Sequence, residues 1–227
     1  MRMFRAMAAA VAIVATPAFA DLIPVNTAVQ TLSVNTATTN WTDTLNFTKF
    51  DTNLGILQAI HISLDGAVLG NIQFESLDFS SGTVNTSLKA QIKLSNGLND
   101  LVVTIPEASF SDSVTAFDGI IDFAGPSGRS RIGVSGSASN TATLTSPSSF
   151  ALFSGVGTIP LTLGATGLSS GSGAGNLLTL FNTRASGSAS IFYTYLADVP
   201  TPTPEPGMIG LLGLGLLGVA AARRRKA

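Results

Sequence analysis

The feature that most constrains the fold of this chain is the alternation of apolar and polar residues in its middle part. In AIHISLDG, the side chains of Ile60, Ile62 and Leu64 fall on one face of an extended chain. The longer segment VNTSLKAQIKL repeats the pattern with the apolar residues Val84, Leu88, Ala90, Ile92 and Leu94. A period of two predicts β-strands that bury one face and expose the other.

Weaker patterns of the same kind predict further strands along the chain. They lie near or begin at Leu32, Trp41, Ile72, Leu101, Val114, Ile132, Leu161, Leu177 and Ile191. Turn-forming pairs stand between the segments: Asp65-Gly66, Ser81-Gly82, Asn96-Gly97, Asp118-Gly119 and Gly125-Pro126. No helical pattern of three turns occurs before Gly207. About nine short strands with frequent turns predict an all-β domain over residues 21–198, an antiparallel β-sandwich with a jelly roll as one option.

The composition limits how such a domain is stabilised and what it binds. The chain has no cysteine, which excludes disulfide bonds, thiolate metal sites and cysteine nucleophiles. All 13 acidic residues lie between Asp21 and Glu205, together with only six of the 12 basic residues, so this part carries a net charge of −7. Because it has no basic patch to neutralise phosphates, we expect no nucleic-acid partner.

The first 20 residues, MRMFRAMAAAVAIVATPAFA, have the parts of a secretory signal peptide. Arginines lie near the start, an apolar run follows, and Ala18 and Ala20 form the A-x-A pattern that signal peptidase cleaves. The apolar run has only about half of the ~20 residues that a membrane-spanning helix needs. We therefore expect residues 1–20 to form a signal peptide helix, export through the secretion translocon, and cleavage between Ala20 and Asp21.

The C-terminal part combines a proline-rich spacer, an apolar stretch and a basic tip. Residues 199–206, VPTPTPEP, favour an extended linker, because the alternating prolines are incompatible with a helix or a central strand. Residues 207–222 are apolar, and a helix of this length spans about 24 Å, so residues 207–227 are predicted to form a short transmembrane helix with a basic tip. The terminal cations hold the C terminus in the cytoplasm and leave the body facing outward.

The apolar stretch contains GLGLLG, residues 213–218, which has the G-x-G-x-x-G spacing of a dinucleotide-binding loop. That fingerprint requires a preceding strand and an acidic residue about 20 positions later. Here a proline spacer precedes the glycines and no acidic residue follows them. We therefore predict neither nucleotide binding nor any other cofactor.

The ordered combination of PEP motif, glycine- and leucine-rich stretch and arginine cluster resembles the PEP-CTERM sorting signal of Gram-negative bacteria. The resemblance covers PEPGMIGLLGLGLLGVAAARRRKA. It implies a precursor held transiently in the inner membrane, cleavage near the PEP motif by an exosortase, and transfer of the body to the cell surface or the exopolysaccharide matrix. The residues that carry this resemblance are Pro204, Glu205, Pro206, Arg223, Arg224 and Arg225.

The segment 31–78 resembles the choice-of-anchor E domain, a β-rich module found in front of PEP-CTERM signals. The resemblance rests on FxxFD at residues 47–51 and LGxL at residues 54–57, followed by an aliphatic strand. Glu75 falls where the family carries an acidic residue, but the expected neighbouring asparagine is Ser76. The resemblance implies no reaction, because the family is defined by its architecture.

His61 is the only histidine, so a zinc site or a catalytic triad would have to be built on this residue alone. We interpret it as an exposed residue on the polar face of its strand. Asp118 and Asp122 can offer oxygen ligands to calcium, but the chain lacks EF-hand spacing, and we predict no metal site. Trp41, Tyr193 and Tyr195 are candidates for an aromatic platform for sugar rings, although we favour core packing for them.

Two functions remain open from the sequence. The first is a non-enzymatic surface or matrix protein, associated structurally or directly with exopolysaccharide. The alternative is a secreted glycoside hydrolase, which needs two carboxylates about 5–9.5 Å apart. Glu75 with Asp78, or Asp118 with Asp122, can form such a pair, but 13 acidic residues produce close pairs by chance. We therefore predict a protein that is not an enzyme and has no catalytic residue.

Overall fold

The computed structural model describes residues 21–199, together with residues 213, 215 and 216. The chain divides into two compact units, one of Pro24–Ala197 and one of Met1–Ile23 with Asp198–Ala227. We call the first unit the body. The predicted signal peptide helix and nearly all of the predicted transmembrane helix lie outside the described residues. Within the described residues, no helix is long and apolar enough to cross a membrane.

Strands account for most of the described chain, as the alternating pattern predicts. They are β1 (Asp21–Asn26), β2 (Gln30–Thr38), β3 (Trp41–Thr48), β4 (Ile56–Ser76), β5 (Gly82–Ser95), β6 (Asp100–Thr104), β7 (Glu107–Val114), β8 (Gly128–Leu144), β9 (Thr158–Gly167), β10 (Ser170–Ser172) and β11 (Leu177–Val199). Two short helices join them, a 3₁₀-helix at Thr52–Leu54 and α1 at Pro147–Phe153.

The strands form two antiparallel sheets. In the five-stranded sheet the order is β1-β11-β4-β8, and β2 also pairs with β11. In the six-stranded sheet the order is β10-β5-β9-β3, and β6 and β7 also pair with β5. The pairs β2–β11, β3–β9, β4–β8 and β5–β7 are nested, as in one long hairpin rolled into two layers. The predicted antiparallel sandwich is confirmed, and the nested pairing is that of a jelly roll.

The core lies between the two sheets and is formed by the apolar faces of the predicted strands. Ile60, Ile62 and Leu64 of β4 are at most 2% exposed. The apolar residues predicted to share one face of β5 are all fully buried, namely Val84, Leu88, Ala90, Ile92 and Leu94. Burial of aliphatic side chains from both sheets supplies the main stabilising term of a body that has no disulfide bonds.

The turn predicted at Asp65-Gly66 is wrong, because β4 continues through both residues. Gly66 lies opposite Gly187 of β11 and Ala138 of β8. A Cβ atom at Gly66 would lie 2.8 Å from Ile92 Cδ1 in the facing sheet. The glycine therefore allows the two sheets to approach each other inside a strand, and does not reverse the chain.

The strand predicted from Val114 is also misplaced, because β7 ends at that residue and a loop follows over residues 115–127. Gly119 in this loop has φ +97°, and the Asp118 carboxylate accepts a hydrogen bond of 3.1 Å from the amide of Ile120. This local turn leaves Ile120 62% exposed. The apolar pattern there belongs to a loop, whereas the serine-rich segment before it forms β7.

An ion cluster joins the two sheets where β7 and β8 meet. The side chain of Asp112 is only 10% exposed and accepts a hydrogen bond from the Arg131 guanidinium, with Arg129 Nε at 3.8 Å. The Arg131 guanidinium also lies 4.3 Å from the centre of the Phe110 ring. Two cations therefore neutralise this largely buried carboxylate, and the Phe110 ring packs against the guanidinium of one of them.

The two ends of the body differ in which loops they carry. β11 begins at Leu177 beside Ser76 and reaches Leu196 beside Ile56, so it runs the full length of β4. At about 3.3 Å per residue, β11 spans roughly 70 Å. We call the end at which β11 begins the distal end and the end at which it finishes the base. The distal end carries loops 77–81, 115–127 and 173–176, and the base carries loops 49–55, 96–99 and 145–157.

Candidate functional site

The residues predicted to direct export and sorting fall at the margins of the described chain. Ala18 and Ala20 lie outside the described residues, and Asp21 is the first residue of β1. The sorting residues also lie outside them: Pro204, Glu205, Pro206, Arg223, Arg224 and Arg225. The predicted cleavage after Ala20 would therefore leave a chain that starts directly with a strand.

His61 occupies the outer face of the five-stranded sheet, where it is partly buried and not fully exposed as predicted. Its Nε2 lies 3.0 Å from Thr194 Oγ1, and its Nδ1 lies 3.3 Å from Thr143 Oγ1. Its ring stacks on Phe192 with the ring centres 4.4 Å apart. These partners are hydroxyls and an aromatic ring, so the arrangement does not have the carboxylate of a catalytic triad.

Glu75 is the next-to-last residue of β4, and its side chain is fully buried beneath the 115–127 loop. Its Oε1 accepts a hydrogen bond of 2.7 Å from the Ser127 hydroxyl, and its Oε2 accepts one of 2.9 Å from the Phe123 amide. Phe123 has φ +56°, an uncommon conformation for an aromatic residue. The buried carboxylate therefore holds this loop in a conformation that the loop sequence alone disfavours.

The other carboxylates considered as catalytic or calcium-binding groups accept hydrogen bonds from backbone amides in the distal loops. Asp78 accepts hydrogen bonds from the amides of Gly175 (2.7 Å) and Asn176 (2.8 Å), which ties loop 77–81 to the start of β11. Asp118 and Asp122 each accept a hydrogen bond from an amide two residues further along. Within residues 21–199, no group of three histidine or acidic side chains is placed to hold a metal ion.

Trp41, Tyr193 and Tyr195 are the candidates for a sugar platform or for core packing, and in the structure they pack against the core. Tyr193 is 1% exposed, and its hydroxyl donates a hydrogen bond of 2.9 Å to the carbonyl of Thr48. Its ring and that of Tyr195 both pack on Phe50, with ring centres 5.8 and 5.3 Å away. Burial raises the pKa of Tyr193 to about 12. The Trp41 indole donates a hydrogen bond of 3.3 Å to the carbonyl of Ala185.

A polar groove that sequence reasoning missed lies on the outer face of the six-stranded sheet. It encloses about 440 Å³ where β7 and β10 flank β5. Its charged lining residues are Lys89 of β5 and Glu107 of β7, which pair with each other. Ser87 and Ser109 form the next pair on the same face of these two strands. The sequence predicts only the polar face of β5, from the alternation of that strand. It does not predict that β7 lies beside β5, because that pairing depends on the whole fold.

Glu107 is the best-defined group in this groove. Hydrogen bonds from the hydroxyls of Ser109 and Ser87, together with the nearby charge of Lys89, lower its pKa. The bond from Ser87 is 2.7 Å long. An ionised acceptor, an ammonium donor and several hydroxyls form a surface suited to a ligand that carries many hydroxyl groups.

A second groove of about 510 Å³ lies on the outer face of the five-stranded sheet. Ser33, Asp65, Ser137 and Ser188 are among its lining residues, and the Ser139 hydroxyl donates a hydrogen bond to Asp65. Both sheets therefore present hydroxyl-rich grooves that contain a carboxylate.

Comparison with known families identifies the C-terminal signal. The PEP-CTERM protein-sorting motif matches residues 202–226, the range that contains all the predicted sorting residues. A signal of this kind implies an exported, membrane-anchored precursor that an exosortase processes. The chain thus carries a PEP-CTERM sorting signal, and the prediction of this signal is confirmed. The similarity of its body to the choice-of-anchor E domain stays a prediction.

Two solved structures, from the Gx and Gt strains of infectious bursal disease virus, share slight similarity with the chain. Their sequence identities are 14% and 12%, and their TM-scores are 0.14 and 0.13. The matches cover 83% of this chain and 47% of each viral chain, so this chain spans about half the length of its matches. TM-scores this low do not indicate a common fold. No curated protein matches the chain.

Proposed function

We propose that the chain is a non-enzymatic protein of the cell surface or extracellular matrix of a Gram-negative bacterium, and that its body associates with exopolysaccharide. The observation that carries this proposal is the groove around Glu107. Polysaccharides present repeated hydroxyls, and this groove offers an ionised carboxylate held by Ser87 and Ser109 beside the Lys89 ammonium. The PEP-CTERM signal supports delivery of the body outside the cell.

The roles of the predicted catalytic carboxylates support binding over hydrolysis. A general acid has to reach the glycosidic oxygen, but Glu75 is fully buried and accepts hydrogen bonds from Ser127 and Phe123. Asp78 is bonded to the amides of Gly175 and Asn176. These carboxylates therefore act as anchors for distal loops in our proposal, and the body has no catalytic residue.

The sequence context supports the remaining parts of the proposal. Signal peptidase removes residues 1–20 after transport through the secretion translocon, and exosortase cleaves near Pro204 while the precursor is in the inner membrane. The body then reaches the exopolysaccharide as a choice-of-anchor E-like module. No cofactor is needed for this function.

Affinity electrophoresis of the processed protein through gels containing bacterial exopolysaccharides tests the proposal. We expect the wild type to be retarded and the Glu107→Ala variant to bind roughly 10–100-fold more weakly, the effect of losing a hydrogen bond to a charged group. Asp43→Ala is the matched control, since Asp43 is an exposed carboxylate bonded only to the neighbouring Thr44 amide in the described structure.

The same samples separate binding from hydrolysis. Release of reducing ends by the wild type would contradict the non-enzymatic proposal and support the glycoside hydrolase alternative. Equal migration with and without every polysaccharide tested would show that the body is a passive structural module.

A further inference from the structure

The base of the body carries large apolar side chains that point into solvent. Leu98 at the tip of the β5–β6 hairpin is 90% exposed, and Val156 before β9 is 97% exposed. Leu54 and Ile56, on the connection into β4, are 46% and 57% exposed. Single exposed apolar residues are common, and the distal end also exposes Phe79, Ile120 and Ile121, so the base is distinguished by the charge of its loops and by the linker that follows it. We call these four residues the base patch.

The charge of the base differs from that of the distal end. Loops 96–99 and 145–157 contain no charged residue, and loop 49–55 contains one lysine and one aspartate. The distal loops contain Asp78, Asp118 and Asp122 and no basic residue. A surface bearing anionic lipids would therefore repel the distal end and would not repel the base.

The chain outside the body limits how far the base can lie from a membrane. Seven residues, 200–206, separate Val199 at the end of β11 from the apolar stretch that begins at Gly207. At about 3.1 Å per residue, a proline-rich linker of this length reaches at most roughly 22 Å. The polar layer on each side of a bilayer is itself about 5–7 Å thick, so the tether keeps the base close to the headgroups.

We propose that, in the anchored precursor, the base patch docks on the bilayer that holds the C-terminal anchor. This inference rests on the membrane-anchored state that the sorting signal implies. Leu98 and Val156 enter the headgroup region, and the uncharged loops around them lie on the lipid surface. The distal end then points away from the membrane.

The absence of cysteine in the chain allows a direct test with single-cysteine variants. Leu98→Cys and Val156→Cys report on the base, and Phe79→Cys, at a distal residue that is 98% exposed, is the matched control. Each full-length variant carries an environment-sensitive nitrobenzoxadiazole label and is reconstituted into phosphatidylethanolamine–phosphatidylglycerol vesicles. We expect blue-shifted emission and quenching by spin-labelled lipids at the two base positions, but neither effect at Phe79.

The outcomes separate this inference from the proposed function. If the full-length chain does not float with the vesicles, the membrane anchoring is wrong, and the docking with it. If it floats but the base labels emit like the Phe79→Cys label, the anchoring holds and the docking is overturned. Leu98→Asp combined with Val156→Asp provides a second measurement, because it should abolish quenching of a label at Leu54→Cys while Phe79→Asp leaves it unchanged.

Discussion

Ile92 and the glycines opposite it show how single residues set the distance between the sheets. Gly66 and Gly187 are directly opposite each other in the five-stranded sheet. Cβ atoms at these positions would lie 2.8 and 3.1 Å from carbon atoms of Ile92. The Ile92 side chain therefore occupies the space that two side chains of the facing sheet would otherwise fill, and dense packing depends on all three residues.

Substitution of Gly66 tests this packing. We expect Gly66→Ala to lower the free energy of unfolding by about 1–3 kcal/mol, since the added methyl group overpacks a close contact. Ile92→Val removes the contacting Cδ1 atom, so the double variant should recover part of the loss. Urea unfolding of both variants measures the effect.

Gly82→Ala is the control, because a Cβ at Gly82 has no atom within 4 Å. The control should be neutral or up to about 1 kcal/mol more stable, because alanine restricts the unfolded chain. Equal destabilisation by Gly66→Ala and Gly82→Ala would show that close sheet contact is not the reason for the glycine in β4.

Tyr193 makes the stability of the body depend on alkaline pH. Its pKa is raised to about 12 by burial, so the unfolded chain ionises at lower pH than the folded one. The contribution is fully present below the unfolded pKa of about 10 and is lost as the pH rises through about 12, in total roughly 2 kcal/mol. Urea midpoints between pH 8 and pH 12 should fall for the wild type and for Tyr195→Phe, and should fall less for Tyr193→Phe.

At the scale of elements, the sequence predicts most strands but not all of their limits. The alternation of apolar and polar residues predicts the positions of β4 and β5 and the buried face of each, because this alternation is a local property of a strand. It splits β4 at Asp65-Gly66, since such a pair commonly forms turns, whereas close contacts with Ile92 and Thr104 of the facing sheet explain the glycine. It also misses β7, whose apolar residues are few. The groove around Glu107 requires the pairing of β5 with β7, which no local pattern contains.

The 115–127 loop is an element whose conformation depends on one carboxylate. We expect Glu75→Gln to loosen this loop, because the amide oxygen is a weaker acceptor than a carboxylate and can serve only one of the two donors, Phe123 N and Ser127 Oγ, while the NH₂ group faces the other. Limited proteolysis should cut the loop faster in this variant, with a loss of about 1–3 kcal/mol in unfolding free energy.

Asp122→Asn is the matched control for that experiment, since Asp122 is exposed and bonded to the nearby Ala124 amide. It should change the proteolysis rate little. An unchanged rate in Glu75→Gln would mean that the local turns of the loop, and not the buried carboxylate, hold it in place.

At the scale of the whole molecule, the chain combines a two-sheet body with a sorting motif that follows it. The faces of both sheets offer polar grooves, while the loops at the two ends of the body differ in charge. The PEP-CTERM motif could be predicted from the sequence because its parts are contiguous, and the match at residues 202–226 confirms it. The chemistry of the body surface could not be predicted in this way, because the grooves are assembled from strands that are distant in the sequence.

Removal of the basic tip tests the sorting route. Changing Arg223, Arg224 and Arg225 together to alanine should leave an unprocessed precursor in the membrane of an exosortase-positive host, because these cations complete the signal. Intact-mass measurement of the recovered protein decides whether Ala227 is still attached. Arg184→Ala, a change on the body, should be processed like the wild type, whereas a wild-type protein that retains Ala227 would contradict sorting.

The position of β11 sets the time at which this protein can fold during export. β11 is the last strand of the body, yet it lies inside its sheet between β4 and the pair β1 and β2. Its partners are separated from it by most of the chain, a topology of high contact order. A chain that crosses the membrane from its N terminus cannot complete the sheet until residues 177–199 emerge. The nested pairing therefore leaves the earlier strands without their central partner until nearly the whole body has been exported.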